Sequence, residues 1–79
     1  RIGRDRFVRN VMIALGNAED AALAEVALAR LDDDSALVRG AAVWALSRLD
    51  PDRFHAERAA RADGETDADV KAEWAQSPA

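Results

Sequence analysis

A valine followed by a basic residue recurs three times in this chain, at Val8-Arg9, Val38-Arg39 and Val70-Lys71, with separations of 30 and 32 residues. Each pair stands just after helix-capping side chains: Asp5, then Asp34-Ser35, then Thr66-Asp67. The first pair leads into Ala14-Leu15-Gly16 and the second into Ala45-Leu46-Ser47, so the surroundings recur as well. A unit of about 30 residues holding two helices cannot bury its apolar face alone, and it finds that burial by stacking on its neighbours. The pattern predicts an all-α chain built as a short α-solenoid of helical hairpins, with about five helices and one domain over residues 1–79.

The helix punctuation agrees. Asp5 is expected to cap a first helix that runs to about Leu15, with Gly16 as its left-handed stop. Phe7, Val8, Val11, Met12 and Leu15 fall on one helical stripe. Asn17 or Asp20 opens a second helix carrying Leu23, Val26, Ala27, Leu28 and Leu31. The acidic break Asp32-Asp33-Asp34-Ser35 supplies caps for a third helix from Ala36 to Leu49. There Val38, Ala42, Ala45 and Leu49 form a seam that Leu37, Ala41, Trp44 and Leu46 widen, so burial on several sides is expected. Asp50-Pro51 starts a fourth helix, which reaches about Ala62 before the break Asp63-Gly64-Glu65. Thr66 with Asp69 reads as a capping box for a short last helix with Val70 and Trp74, and the tail from Gln76 to Ala79 is expected to fray.

The segment LDDDSALVRGAAVWALSRL, residues 31–49, resembles a HEAT-like repeat of the short kind. In that family the acid before the helix and the arginine on it tie adjacent repeats together. The resemblance gives that inter-repeat role to Asp34 and Arg39.

Composition limits the chemistry. The chain has no cysteine and a single histidine, His55, so disulfides, thiolate metal sites and thiol nucleophiles are absent. His55 lies among Glu57, Arg58 and Arg61 and reads as a solvated side chain rather than a base. Asp32, Asp33 and Asp34 lack the glycine turn and downstream glutamate of a calcium loop, and as capping acids they need no metal. No catalytic residue and no metal ligand is assigned. Trp44 and Trp74 sit in apolar stripes that favour packing over base stacking. No apolar run approaches the ~20 residues that span a bilayer, and the cysteine-free composition points to the cytoplasm. The chain opens on Arg1 rather than methionine, which reads as a piece of a longer protein.

Charge is uneven. The net charge is −4, yet residues 1–17 hold four arginines against Asp5, leaving +3 there and −7 in the remainder. That balance disfavours general nucleic-acid or membrane binding and permits one local phosphate site. Arg6 and Arg9 stand three apart on the first helix with Asn10 beside them, and Arg1 and Arg4 precede them. Guanidinium forks near a helix start suit phosphate oxygens. A plain structural role for Arg9, matching Arg39 in its repeat, is equally open.

The opening RIGRDRFVRNVMIALGN, together with LVRGAAVWALSRL and ETDADVKAEWA, resembles the C-terminal HEAT-like region of the epoxyqueuosine reductases. The resemblance departs at residues 18–21, Ala-Glu-Asp-Ala here, where a Ser-Gly-Asp-Pro-like turn is expected. It implies a non-catalytic module of an enzyme that reduces epoxyqueuosine to queuosine in tRNA. The 4Fe-4S clusters and cobalamin would lie in other parts of that protein, with none in this fragment. It further implies packing on the catalytic domain and contact with the tRNA anticodon arm through Arg4, Arg6, Arg9 and Asn10. A HEAT-type protein-binding scaffold with no nucleic-acid role is the alternative, and a purely structural cap is a third.

Overall fold

A computed structural model describes residues 2–76. They form five α-helices, and no strand occurs among the described residues. These are α1 (Ile2–Ala18), α2 (Ala24–Leu28), α3 (Ala36–Leu49), α4 (Pro51–Arg61) and α5 (Ala68–Ala75). Two single 3₁₀ turns, Ala21–Leu23 and Ala62–Gly64, lead into α2 and follow α4. Most of the expected fraying segment, beyond Gln76, lies outside the described residues.

Four starts follow local capping chemistry. Asp20 accepts from the Ala22 amide, Ser35 from Val38, and Asp50 from Arg53 ahead of Pro51. At α5 the cap is Asp67, which accepts from both Asp69 and Val70, rather than the Thr66–Asp69 box expected from sequence. One side chain two residues further back, Glu65, already occupies the amide of Thr66.

Helix α1 departs from expectation at both ends. It begins at Ile2, so Asp5 lies inside its first turns, where a carboxylate suits the positive end of the helix. It also runs through Gly16 to Ala18. Gly16 is buried inside the helix because a Cβ there would stand 2.5 Å from Cζ3 of Trp44. Its lack of a side chain serves close helix approach, and the left-handed residue is Glu19, with φ of 57°. That is the place of the glycine in the Ser-Gly-Asp-Pro-like turn. Helix α2 is shorter than the apolar pattern suggests: Leu31 is buried, but it lies in the turns beyond the helix.

The core sits around α3, which packs against α1, α2, α4 and α5. Val38, Ala42, Val43, Ala45, Leu46 and Leu49 of α3 are buried, joined by Met12, Ala27, Phe54, Val70 and Trp74. Phe54 and Trp74 rings lie 5.5 Å apart between α4 and α5. Burial of side chains this large contributes on the order of 1.5–3 kcal/mol each. The molecule measures 32 × 28 × 18 Å, and the thin direction accommodates two packed helices of about 10 Å. The three recurring Val-Arg/Lys pairs fall on α1, α3 and α5.

The second apolar stripe of α3 is only partly covered. Leu37 is 45% exposed, and Ala41 and Trp44 are only partly buried. The expected burial on several sides holds for the seam and for Leu46, but not for this stripe.

Candidate interaction surface

Arg4 is held within the fold. Its Nη1 donates to Asp33 Oδ1 at 3.0 Å and its Nη2 to Asp33 Oδ2 at 2.7 Å, while Nη1 also reaches Asp5 at 2.9 Å. The Asp33 carboxylate is 5% exposed and caps its own loop by accepting from the Ser35 amide. The Arg4 guanidinium, followed by that amide, pulls the Asp33 carboxyl down to about 2.

Arg39 makes a similar fork from a different repeat position, since its counterpart in the Val-basic pairs is Arg9 and not Arg4. Its Nε and Nη2 donate to Glu65 Oε1 and Oε2 at 3.0 and 2.9 Å. Glu65 in turn accepts from the amides of Thr66 and Asp67. In both cases an arginine of an earlier helix forks onto a carboxylate two residues before the cap of a later one. Arg4 of α1 reaches the loop that opens α3, and Arg39 of α3 reaches the loop that opens α5. Paired N–H donors on a planar carboxylate fix orientation as well as distance. Arg39 also donates to the carbonyls of Asp33 and Asp34 at 2.9 and 3.2 Å. Asp34 thus enters the link through its backbone, and its side chain is exposed. The carboxylates that make the clasp are Asp33 and Glu65, neither singled out from sequence. Their signal is the spacing, an acid two positions before each cap.

The remaining basic residues of α1 differ in their surroundings. Arg6 is exposed, with no ion-pair partner among the described residues. Arg9 donates to Asn10 Oδ1 at 3.2 Å, and its Nε is covered without an acceptor. Ile2 and Phe7 on the same helix are 73% and 68% exposed. The structure therefore brings Arg6, Arg9 and Asn10 onto adjoining turns of α1, and it binds Arg4 into the Asp33 clasp.

A groove of about 520 Å³ opens between α1, α3 and α5. Leu37, Gly40, Ala41 and Trp44 of α3 make its floor, Arg9 and Ile13 one wall, and Asp67, Asp69 and Glu73 the other. Burial pushes the Glu73 carboxyl above its ordinary value. Trp44 is held by Gly16 beneath it and by the Arg48 guanidinium 5.4 Å from its ring, an arrangement that favours packing over stacking on a base. Trp74 is buried.

The acidic turn and the histidine have ordinary surroundings. Asp32 pairs with Arg61, which also binds Glu57 at 2.7 Å, and this holds the turn before α3 to α4. His55 is exposed, edge-on to Phe54 at 5.5 Å. Among the described residues no three His, Cys, Asp or Glu side chains are grouped as metal ligands. No helix among them is long and apolar enough to cross a membrane.

Fold and surface together define a small all-helical unit with an arginine-carboxylate clasp repeated along it and an open groove on its central helix. Over 56 residues the chain is 43% identical to an epoxyqueuosine reductase of Alicycliphilus denitrificans, a match covering 61% of this chain and 16% of that protein. The match supports a relation to that family, of whose member the chain spans a minor part. No protein-family model matches the chain. No solved structure matches it.

Proposed function

We propose that this chain is a non-catalytic, HEAT-like helical-repeat module of a cytoplasmic tRNA-modifying reductase that converts epoxyqueuosine to queuosine. It packs on the catalytic domain and helps to hold the tRNA anticodon arm. The observation carrying this reading is the 43% identity to an epoxyqueuosine reductase. Arginine forks at Arg4–Asp33 and Arg39–Glu65, each onto an acid two residues before a helix cap, support stacked repeats through the matching place of the acids, although Arg4 and Arg39 stand at different repeat positions. Ile2 and Phe7, exposed on α1, give an apolar surface to a neighbouring domain. A chain without cysteine offers no thiolate for 4Fe-4S clusters, so these belong elsewhere in the parent, together with the cobalamin.

Arg6 and Arg9, with Asn10 beside Arg9, engage phosphates of the anticodon arm. Arg4 stands behind them with its charge balanced by Asp33 and Asp5. Such contacts position the RNA and leave base identity to other parts of the enzyme. Two guanidinium groups on a single-stranded loop contribute about −1.4 to the slope of log affinity against log salt. The test is tRNA binding by the full-length parent across salt concentrations, with Arg6→Ala and Arg9→Ala combined. Loss of that slope component is expected; an unchanged slope overturns the RNA contact.

A further inference from the structure

We infer that the groove between α1, α3 and α5 is a docking site for a short protein segment that presents an apolar side chain flanked by lysines or arginines. The floor calls for the apolar part. Helix α3 buries Val38, Ala42, Ala45, Leu46 and Leu49 on one side, yet on the other it shows Leu37, Ala41 and Trp44 to the groove. That second stripe is only partly covered within the chain, with Leu37 exposed, and the volume of about 520 Å³ admits one or two large apolar side chains.

The wall selects the charge. Asp69 and Glu73 stand one turn apart on α5 beside Asp67, and neither Asp69 nor Glu73 has a cationic partner among the described residues. Asp67 already accepts from the Asp69 and Val70 amides. Burial has raised the Glu73 carboxyl with no countercharge to offset it. An arriving ammonium or guanidinium supplies that countercharge and gains from the partly desolvated surroundings. The three carboxylates outnumber Arg9 on the facing wall, a balance that disfavours a phosphate backbone or an anionic membrane surface and fits a basic peptide. The groove shares Arg9 with the RNA reading but not Arg6, so Arg6→Ala tells the two apart.

The test titrates the full 79-residue chain into a labelled peptide with leucines and arginines at helical spacing, and into its twin with glutamate for arginine. Fluorescence anisotropy is expected to show the arginine peptide binding at least about tenfold more tightly than the twin. Amide shifts on binding are expected at Leu37, Gly40, Ala41 and Glu73. Asp69→Lys combined with Glu73→Lys should weaken binding roughly tenfold, while Arg6→Ala leaves it unchanged. Should the double variant lose its helical circular dichroism, Leu37→Asp, at an exposed position, gives the same readout without touching the core. Equal binding of the two peptides, no binding of either, shifts confined to other surfaces, displacement by an RNA stem-loop, or self-association of the chain through these residues each overturns the proposal.

Discussion

At Gly16 a hydrogen in place of a methyl group lets α1 close on Trp44. A Cβ there would stand 2.5 Å from Cζ3 and 3.1 Å from two further ring atoms. Gly16→Ala is therefore expected to lower stability by about 1–3 kcal/mol through overpacking, although alanine ordinarily favours a helix by about 1 kcal/mol. Gly40→Ala should have the opposite sign, because its Cβ would meet Val70 at an ordinary 3.8 Å in the middle of α3. Urea denaturation of the two variants checks both signs. Glu19 holds a positive φ with a full side chain, and its 3.9 Å approach to Arg48 is too exposed to compensate. Glu19→Gly is expected to raise stability by about 0.5–1 kcal/mol, seen as a higher denaturation midpoint.

Between elements, the clasps carry the order of the helices. Arg39 and Glu65 are largely covered, so Arg39→Ala removes the countercharge of Glu65 and a side-chain donor from two carbonyls. The expected loss is about 2–4 kcal/mol, whereas Asp34→Ala, which removes an exposed carboxylate, changes stability by less than about 0.5 kcal/mol. Acid acts on these joints, and also on Glu57, whose carboxyl Arg61 lowers. Asp33 is lowered to about 2 by Arg4 first and the Ser35 amide next, and Glu65 is lowered chiefly by Arg39. For a carboxyl whose folded value lies below its unfolded one, the stabilisation is complete above the unfolded value and drains as pH falls through the folded one. Thermal unfolding followed from pH 5 downward should therefore show stability falling from about pH 4 toward pH 2. Arg4→Ala should remove the part of that dependence that belongs to Asp33. Glu73 is shifted the other way by burial, so it disfavours the fold increasingly as pH rises through its range. Glu73→Gln is expected to raise the melting temperature at pH 7 and to leave it little changed near pH 3.

Across the whole molecule, two populations of arginine divide the work. Arg4 and Arg39 bind carboxylates inside the chain, while Arg6 and Arg9 have no carboxylate partner among the described residues. Net charge of −4 makes a general polyanion surface unfavourable, so the RNA contact proposed above rests on those two and on whatever the parent adds. Single variants of the parent separate the roles. Arg4→Ala should lower the unfolding midpoint and leave the salt slope of tRNA binding intact; Arg6→Ala should leave the midpoint within error and reduce the slope by about 0.7. Denaturation and salt-dependent binding on the same two proteins check the pair of outcomes.

The helix starts at Asp20, Ser35 and Asp50-Pro51 were legible in the chain because a cap is a local bargain between a side chain and amides two or three residues on. The seam Val38, Ala42, Ala45 and Leu49, and the anchors Val70 and Trp74, were legible for a similar reason, since helical spacing alone sets which side chains share a face. What tertiary structure alone decided concerns groups far apart in sequence. Gly16 looked like a helix stop until Trp44, on another helix, showed why it has no side chain. Arg4 reads as a tRNA contact from the resemblance, and only the fold brings Asp33 within 2.7 Å of it. Leu37, Ala41 and Trp44 looked buried, and only the separation of α1 and α5 across α3 left them open as a groove. Periodicity determines that a stripe is apolar; the distance between neighbouring helices determines whether anything covers it.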